Sequence, residues 1–101
     1  MEHQTMCKMI DEKILPIIKK TRDAGQREYA HTTDNVFANF ERIGKALGIS
    51  REKVLMVYLL KHIDGITEYT KGYKSQREEV TGRITDGIVY LMLLWGMHET
   101  T

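Results

Sequence analysis

The residue least at home among its neighbours is Asp86. It interrupts a segment that, from Ile84 onward, is apolar on nearly every side, with Gly82 one helical turn before it and Tyr90 one turn after. Taking a carboxylate out of water is costly unless a cation or several donors receive it. Lys61 and Arg83 are the candidate receivers, and an ordinary structural ion pair is the plainer reading. The sharper reading is a metal or phosphate site inside a helical bundle. Glu79 and Asp86 share a face at seven-residue spacing, and Asp64 and Glu68 come from the preceding helical segment. Bundles build carboxylate metal sites from acids on facing helices, and Mg²⁺ suits oxygen ligands beside a phosphate-bearing substrate.

A second stretch has a different character. Tyr69-Thr70-Lys71-Gly72-Tyr73-Lys74-Ser75-Gln76-Arg77 interleaves tyrosines with Lys71, Lys74 and Arg77 and contains no acid. Such a segment offers cations to phosphates and rings to bases, although a solvated interhelix loop has the same composition. Other chemistry lacks its motif. No glycine-rich phosphate loop, H-E-x-x-H or cysteine pair occurs, and His3, His31, His62 and His98 lack metal-ligand spacing. Cys7 has no activating neighbour and reads as a partly buried small residue. As the lone cysteine it excludes an internal disulfide, which suits a reducing compartment.

The elements that must position these residues are helices. Hydrophobic residues make up 42% and charged residues 29% of 101 positions, the balance of a single globular domain spanning 1–101. Met6, Ile10, Ile14, Ile17 and Ile18 recur at helical steps, and Pro16 among them implies a kink or a fresh start. Gly25 is a plausible stop, followed by a polar connector to Thr33. Asp34 is suited to cap a second helix carrying Val36, Phe37, Phe40, Ile43, Gly44 and Leu47, and Gly48 closes it. Ser50 caps a third, with Leu55, Leu59, Ile63 and Ile66 on one side and Lys61, Asp64 and Glu68 opposite. Ser75-Gln76-Arg77-Glu78 is a capping box that starts a fourth through Ile84, Ile88, Leu91 and Trp95. The expectation is an all-α four-helix bundle. The fourth helix has more apolar surface than one chain covers, which predicts a homodimer or higher homo-oligomer burying Leu93, Leu94 and Met97.

Several short segments also resemble a known group. Arg27-Glu28-Tyr29-Ala30-His31, Asp34-Asn35, Asn39-Phe40-Glu41-Arg42-Ile43, Leu60-Lys61-His62-Ile63-Asp64-Gly65-Ile66 and Gly82-Arg83-Ile84-Thr85-Asp86-Gly87-Ile88-Val89-Tyr90-Leu91 resemble small helical proteins of phages and prophages. More distantly, their order is similar to that of the MazG-like all-α nucleotide pyrophosphohydrolases, over roughly residues 26 to 98. The resemblance implies an often dimeric bundle in which Mg²⁺ is held by acids, with a nucleoside triphosphate split into monophosphate and pyrophosphate. It implies Asp64 and Asp86 as metal ligands with Glu41 and Glu79 as additions, and Lys61 and Arg83 as phosphate-binding residues; Lys71 and Lys74 of the basic tyrosine stretch are the further phosphate candidates. Two departures are visible. No pair of acids has i, i+3 spacing, and Gly82 or Arg83 stands where a second acid precedes the Asp86 position.

The functional expectation is a protein that binds or hydrolyses a nucleotide. The alternative is a non-catalytic phage protein that binds a host protein or sequesters a nucleotide signal. A net charge of +1 makes nucleic acid a poor partner. The longest apolar run, residues 87 to 97, falls short of the roughly 20 residues of a spanning helix, and no signal peptide opens the chain. The expected place is the cytoplasm, that of the host cell if the chain is phage-encoded.

Overall fold

A computed structural model describes residues 1–30, 34–73 and 79–100. Among these the fold is all-α, with four helical units and no strand. The first unit is a head-to-tail run: α1 (His3–Met9), a π-helical turn (Ile10–Ile14), α2 (Leu15–Gly25) and a second π-helical turn (Gln26–Ala30). Then follow α3 (Ala38–Leu47), α4 (Arg51–Thr70) and α5 (Val80–Glu99).

Local chemistry explains most of the boundaries. The wide first π turn ends just before Leu15, so Pro16, which has no N–H to give, falls in the first turn of α2. Gly25 does not stop the run, contrary to expectation. Its φ is not positive, the Gln26 N–H still reaches the carbonyls of Arg22 and Asp23, and the Arg22 guanidinium donates to Gln26 Oε1 at 3.1 Å across one turn. The turn before α3 is held by Asn35 rather than Asp34: Asn35 Oδ1 accepts the Phe37 N–H at 3.0 Å. Gly48 adopts φ 71° and closes α3. Ser50 Oγ accepts the Lys53 N–H at 3.2 Å and caps α4 as expected. The capping box at Ser75 lies outside the described residues, and described α5 begins at Val80 with Glu79 in the N-cap position.

The core gathers Phe37, Phe40, Val54, Leu55 and Met97, with Ile43, Tyr58, Tyr90, Leu93 and Leu94 packed against it. Helices α4 and α5 run antiparallel. Arg51 at the start of α4 meets Met97 near the end of α5, and Gly65 near the end of α4 lies under the Arg83 side chain near the start of α5. Helix α3 packs on α4, and α2 packs on α5. Among the described elements, helix α1 packs only against the adjoining π turn and projects beyond the bundle. Cys7 is exposed there, not partly buried.

Arg51 fastens this arrangement. Its Nη1 lies 2.9 Å from Glu41 Oε2 on α3, and its Nε 3.1 Å from Glu52 Oε1. Its Nη2 donates to Met97 O at 3.4 Å and Thr100 Oγ1 at 3.3 Å. The guanidinium carbon sits 4.7 Å from the centre of the Phe37 ring. The Glu52 carboxyl is held below its ordinary value, first by its own backbone N–H and then by Arg51.

Two predictions follow from this packing. A Cβ at Gly44 would lie 2.7 Å from Ile49 O, a backbone atom of the α3–α4 turn, whereas one at Gly87 would meet only Leu59 Cδ1 at 3.8 Å. Both glycines are helical, so alanine brings each the same propensity gain. Chemical denaturation should therefore show Gly44→Ala less stable than Gly87→Ala by about 1–3 kcal/mol, the cost of overpacking. The depressed Glu52 pKa has a signed consequence. Its contribution to stability is complete above the unfolded carboxyl value and is lost as pH falls through the folded one. Melting temperature measured against pH should thus fall less steeply on the acid side in Glu52→Gln than in the native chain.

Candidate functional site

Helices α2, α3, α4 and α5 and the second π turn enclose a cleft of about 920 Å³. Its wall is aromatic. Tyr58 of α4 and Tyr90 of α5 stack with centroids 6.1 Å apart and planes 16° from parallel. Phe40 of α3 meets each edge-on at 6.2 Å, and the His62 ring tilts against Tyr90 at 5.6 Å. The trio follows from helical spacing: Phe40, Tyr58 and Tyr90 each fall on the side of their helix that borders the core. Lys20, Arg22, Arg42 and Lys61 line the same cleft, against Glu28 and Asp86. Four cations against two acids make a positive opening over an aromatic wall.

At the cleft, His62 Nε2 lies 3.7 Å from Asp86 Oδ2, with the side chains 12% and 35% exposed. That is longer than a direct hydrogen bond, but close enough for the carboxylate to orient the imidazole. His62 Nδ1 is buried and meets no hydrogen-bond partner among the described residues. A buried polar atom without a partner is costly, which makes this edge a place where a water or a ligand atom would be welcome.

The acids named from sequence are not drawn together. Asp86 reaches the cleft. Asp64 is exposed on the outer side of α4 and Glu79 is exposed at the head of α5, about 10 Å along the helix from Asp86 at 1.5 Å per residue. Glu41 is engaged elsewhere, accepting from Asn35 Nδ2 at 2.5 Å and pairing with Arg51. No group of three or more histidine, cysteine, aspartate or glutamate side chains suited to a metal occurs among the described residues. The donor set therefore does not fit the Mg²⁺ centre that the resemblance implied, and no chemical step is derived through one.

The expected phosphate-binding residues divide similarly. Lys61 lines the cleft. Arg83 is half-buried across Gly65, whose missing Cβ leaves room for it, and does not line the cleft. Lys71 is exposed beside Glu68 at 3.4 Å, and Lys74 lies outside the described residues. Sequence reasoning missed Lys20, Arg22 and Arg42, because nothing local marks which cations of three helices will meet. It also missed His62, for which a signal existed: Leu55, Leu59, His62 and Ile66 repeat at steps of four, three and four, a better buried stripe than one drawn through Ile63.

No protein family matches this chain, and neither a curated protein nor a solved structure does.

One measurement separates scaffold from site at His62. His62→Phe keeps a ring against Tyr90 and removes the unpartnered nitrogen. If the polar edge serves a ligand rather than the fold, its unfolding free energy should equal the native value or exceed it by about 1 kcal/mol. A loss of stability would assign the imidazole to the fold.

Proposed function

We propose that this chain binds a nucleotide-class ligand, an aromatic ring joined to phosphate, in the cleft between α2 and the α3–α4–α5 core. The observation that carries this reading is the meeting of Lys20, Arg22, Arg42 and Lys61 with Tyr58 and Tyr90 around one opening. Cations recognise phosphate oxygens, and tyrosines supply apolar ring surface with a hydroxyl at its edge. His62 Nδ1 and Asp86 would take polar atoms of the ring or sugar.

The proposal stops at binding. Magnesium-assisted cleavage of a phosphoanhydride calls for several carboxylates around the ion, and among the described residues no group of three or more side chains suited to a metal occurs. Holding a nucleotide, as a sink for a nucleotide signal would, needs only the cleft. No described helix is long and apolar enough to cross a membrane, and a role in the cytoplasm belongs to the same proposal.

Titration calorimetry against a panel of nucleoside mono-, di- and triphosphates, with and without Mg²⁺, tests it. Saturable binding is expected, weakening as salt rises. Arg42→Ala and Lys61→Ala should each reduce affinity about tenfold, the worth of one charge-assisted contact, with the melting temperature unchanged. Folded protein that gives no heat with any nucleotide overturns the reading. Pyrophosphate release abolished in Asp86→Asn would extend it to the hydrolytic form.

A further inference from the structure

The outer side of the α4–α5 pair carries more apolar surface than one chain accounts for. On α4, Met56, Val57, Leu60 and Ile63 are exposed; on α5, Ile84, Leu91, Met92 and Trp95 are, with Trp95 70% exposed. On α5, Ile84, Leu91 and Trp95 follow at steps of seven and four with Met92 beside them, and no charged residue falls between Ile84 and Trp95 other than Asp86, which lies on the cleft side. The two stripes join at the seam between the helices. Glu52 of α4 lines a shallow groove of about 720 Å³ with Leu91, Leu94, Trp95 and His98 of α5. Steps of four and three carry the α4 side from Glu52 through Met56 and Leu60 to Ile63.

Area identifies the occupant. The chain exposes 7844 Å², whereas a folded monomer of 11.7 kDa exposes about 5,900 Å² by the usual scaling. Its radius of gyration is 15.2 Å, against about 13 Å for a compact chain of this length. The projecting α1 accounts for part of the excess. The eight apolar residues, 38% to 70% exposed, amount to about 800 Å² at roughly 200 Å² per large side chain. That is larger than the apolar patch of an ordinary monomer, and it is the area each partner brings to a standard interface.

We propose that this face is a homodimer interface. A second copy lays its own α4–α5 pair on it, so that two helix pairs complete a four-helix layer and Trp95 of each protomer is buried against the other's groove. Isologous pairing suits a face that is apolar along α5, with exposed Lys53 and Asp64 of opposite charge beside the stripe on α4. An anionic lipid surface would ask for a row of cations flanking the stripe; α5 has none between Ile84 and Trp95, and on α4 exposed Lys53 stands with Asp64 while Lys61 lines the cleft. The face differs in part from the one expected from sequence, which was to bury Leu93, Leu94 and Met97. It shares Leu94, which lines the groove, but Met97 is 0% exposed within its own chain and Leu93 packs on that core.

Sedimentation velocity of the full chain over a wide concentration range tests the proposal, with tryptophan emission alongside, since Trp95 is the only tryptophan. The expected result is a dimer that dissociates on dilution as the emission shifts to the red. Trp95→Glu should weaken the dimer at least tenfold with helicity retained by circular dichroism, and Val57→Glu on α4 gives a second reading should the first variant fail to fold. A native chain that stays monomeric at every concentration with solvent-exposed tryptophan emission overturns the proposal. So does a monomer that binds anionic vesicles, or a dimer that both folded variants leave intact.

Discussion

The guanidinium of Arg51 is where three separated stretches of chain are held at one point. It opens α4, salt-bridges Glu41 in the first turn of α3, reaches the last carbonyls of α5 through Met97, and covers the Phe37 ring that leads into α3. Each contact is modest and the site is partly solvated, so none alone would decide the fold. Their value lies in sharing one rigid planar group. A lysine would supply the charge but not the fork of donors. Beneath this point Phe37, Phe40, Val54, Leu55 and Met97 form the most deeply buried part of the molecule. The crossing fixed there sets how α4 and α5 lie along the rest of their length, where the cleft is.

What was legible in the sequence was whatever local geometry decides. Gly48 ends α3 because only a left-handed residue turns the chain there, and Ser50 starts α4 because its hydroxyl meets an amide of the first turn. Phe40, Leu55 and Leu59 were placed in the core by spacing alone, and they are there. The N-terminal run was harder. Gly25 is compatible with a stop, but glycine ends a helix only if the chain needs a positive φ, and here it does not.

The site was less legible for a physical reason. Helices α4 and α5 are apolar over more than half their circumference, so periodicity cannot say which apolar side faces inward. Ile63, Ile84 and Trp95 fit a buried stripe as well as their neighbours do, yet all three are exposed. His62 took the inward position at the cost of an unpartnered nitrogen. The four acids suffered the same ambiguity: a shared face on one helix says nothing about the rotation of the next. Asp86 needs no dense ring of cations because the cleft leaves its side chain 35% open to water, which relieves much of the desolvation that made it conspicuous.

One helix therefore carries two unlike surfaces. The side of α5 that bears Asp86 and Tyr90 belongs to the cleft, and the side that bears Ile84, Leu91 and Trp95 faces outward. His62 and Asp86 stand on different helices, so their separation is a property of the α4–α5 crossing rather than of either residue. The same holds for the stacked Tyr58 and Tyr90. Near Gly65 the crossing is spanned by one long side chain, Arg83, over bare backbone, and at Gly87 by the Leu59 methyl. The bare backbone at both glycines lets the facing side chain lie close across the crossing. One end of the crossing is thus held by the polar contacts of Arg51, and the other by the close lie of Arg83 over Gly65. Covering the outer stripe would bear on both helices at once, and so on the crossing that sets the spacing of the cleft's polar groups.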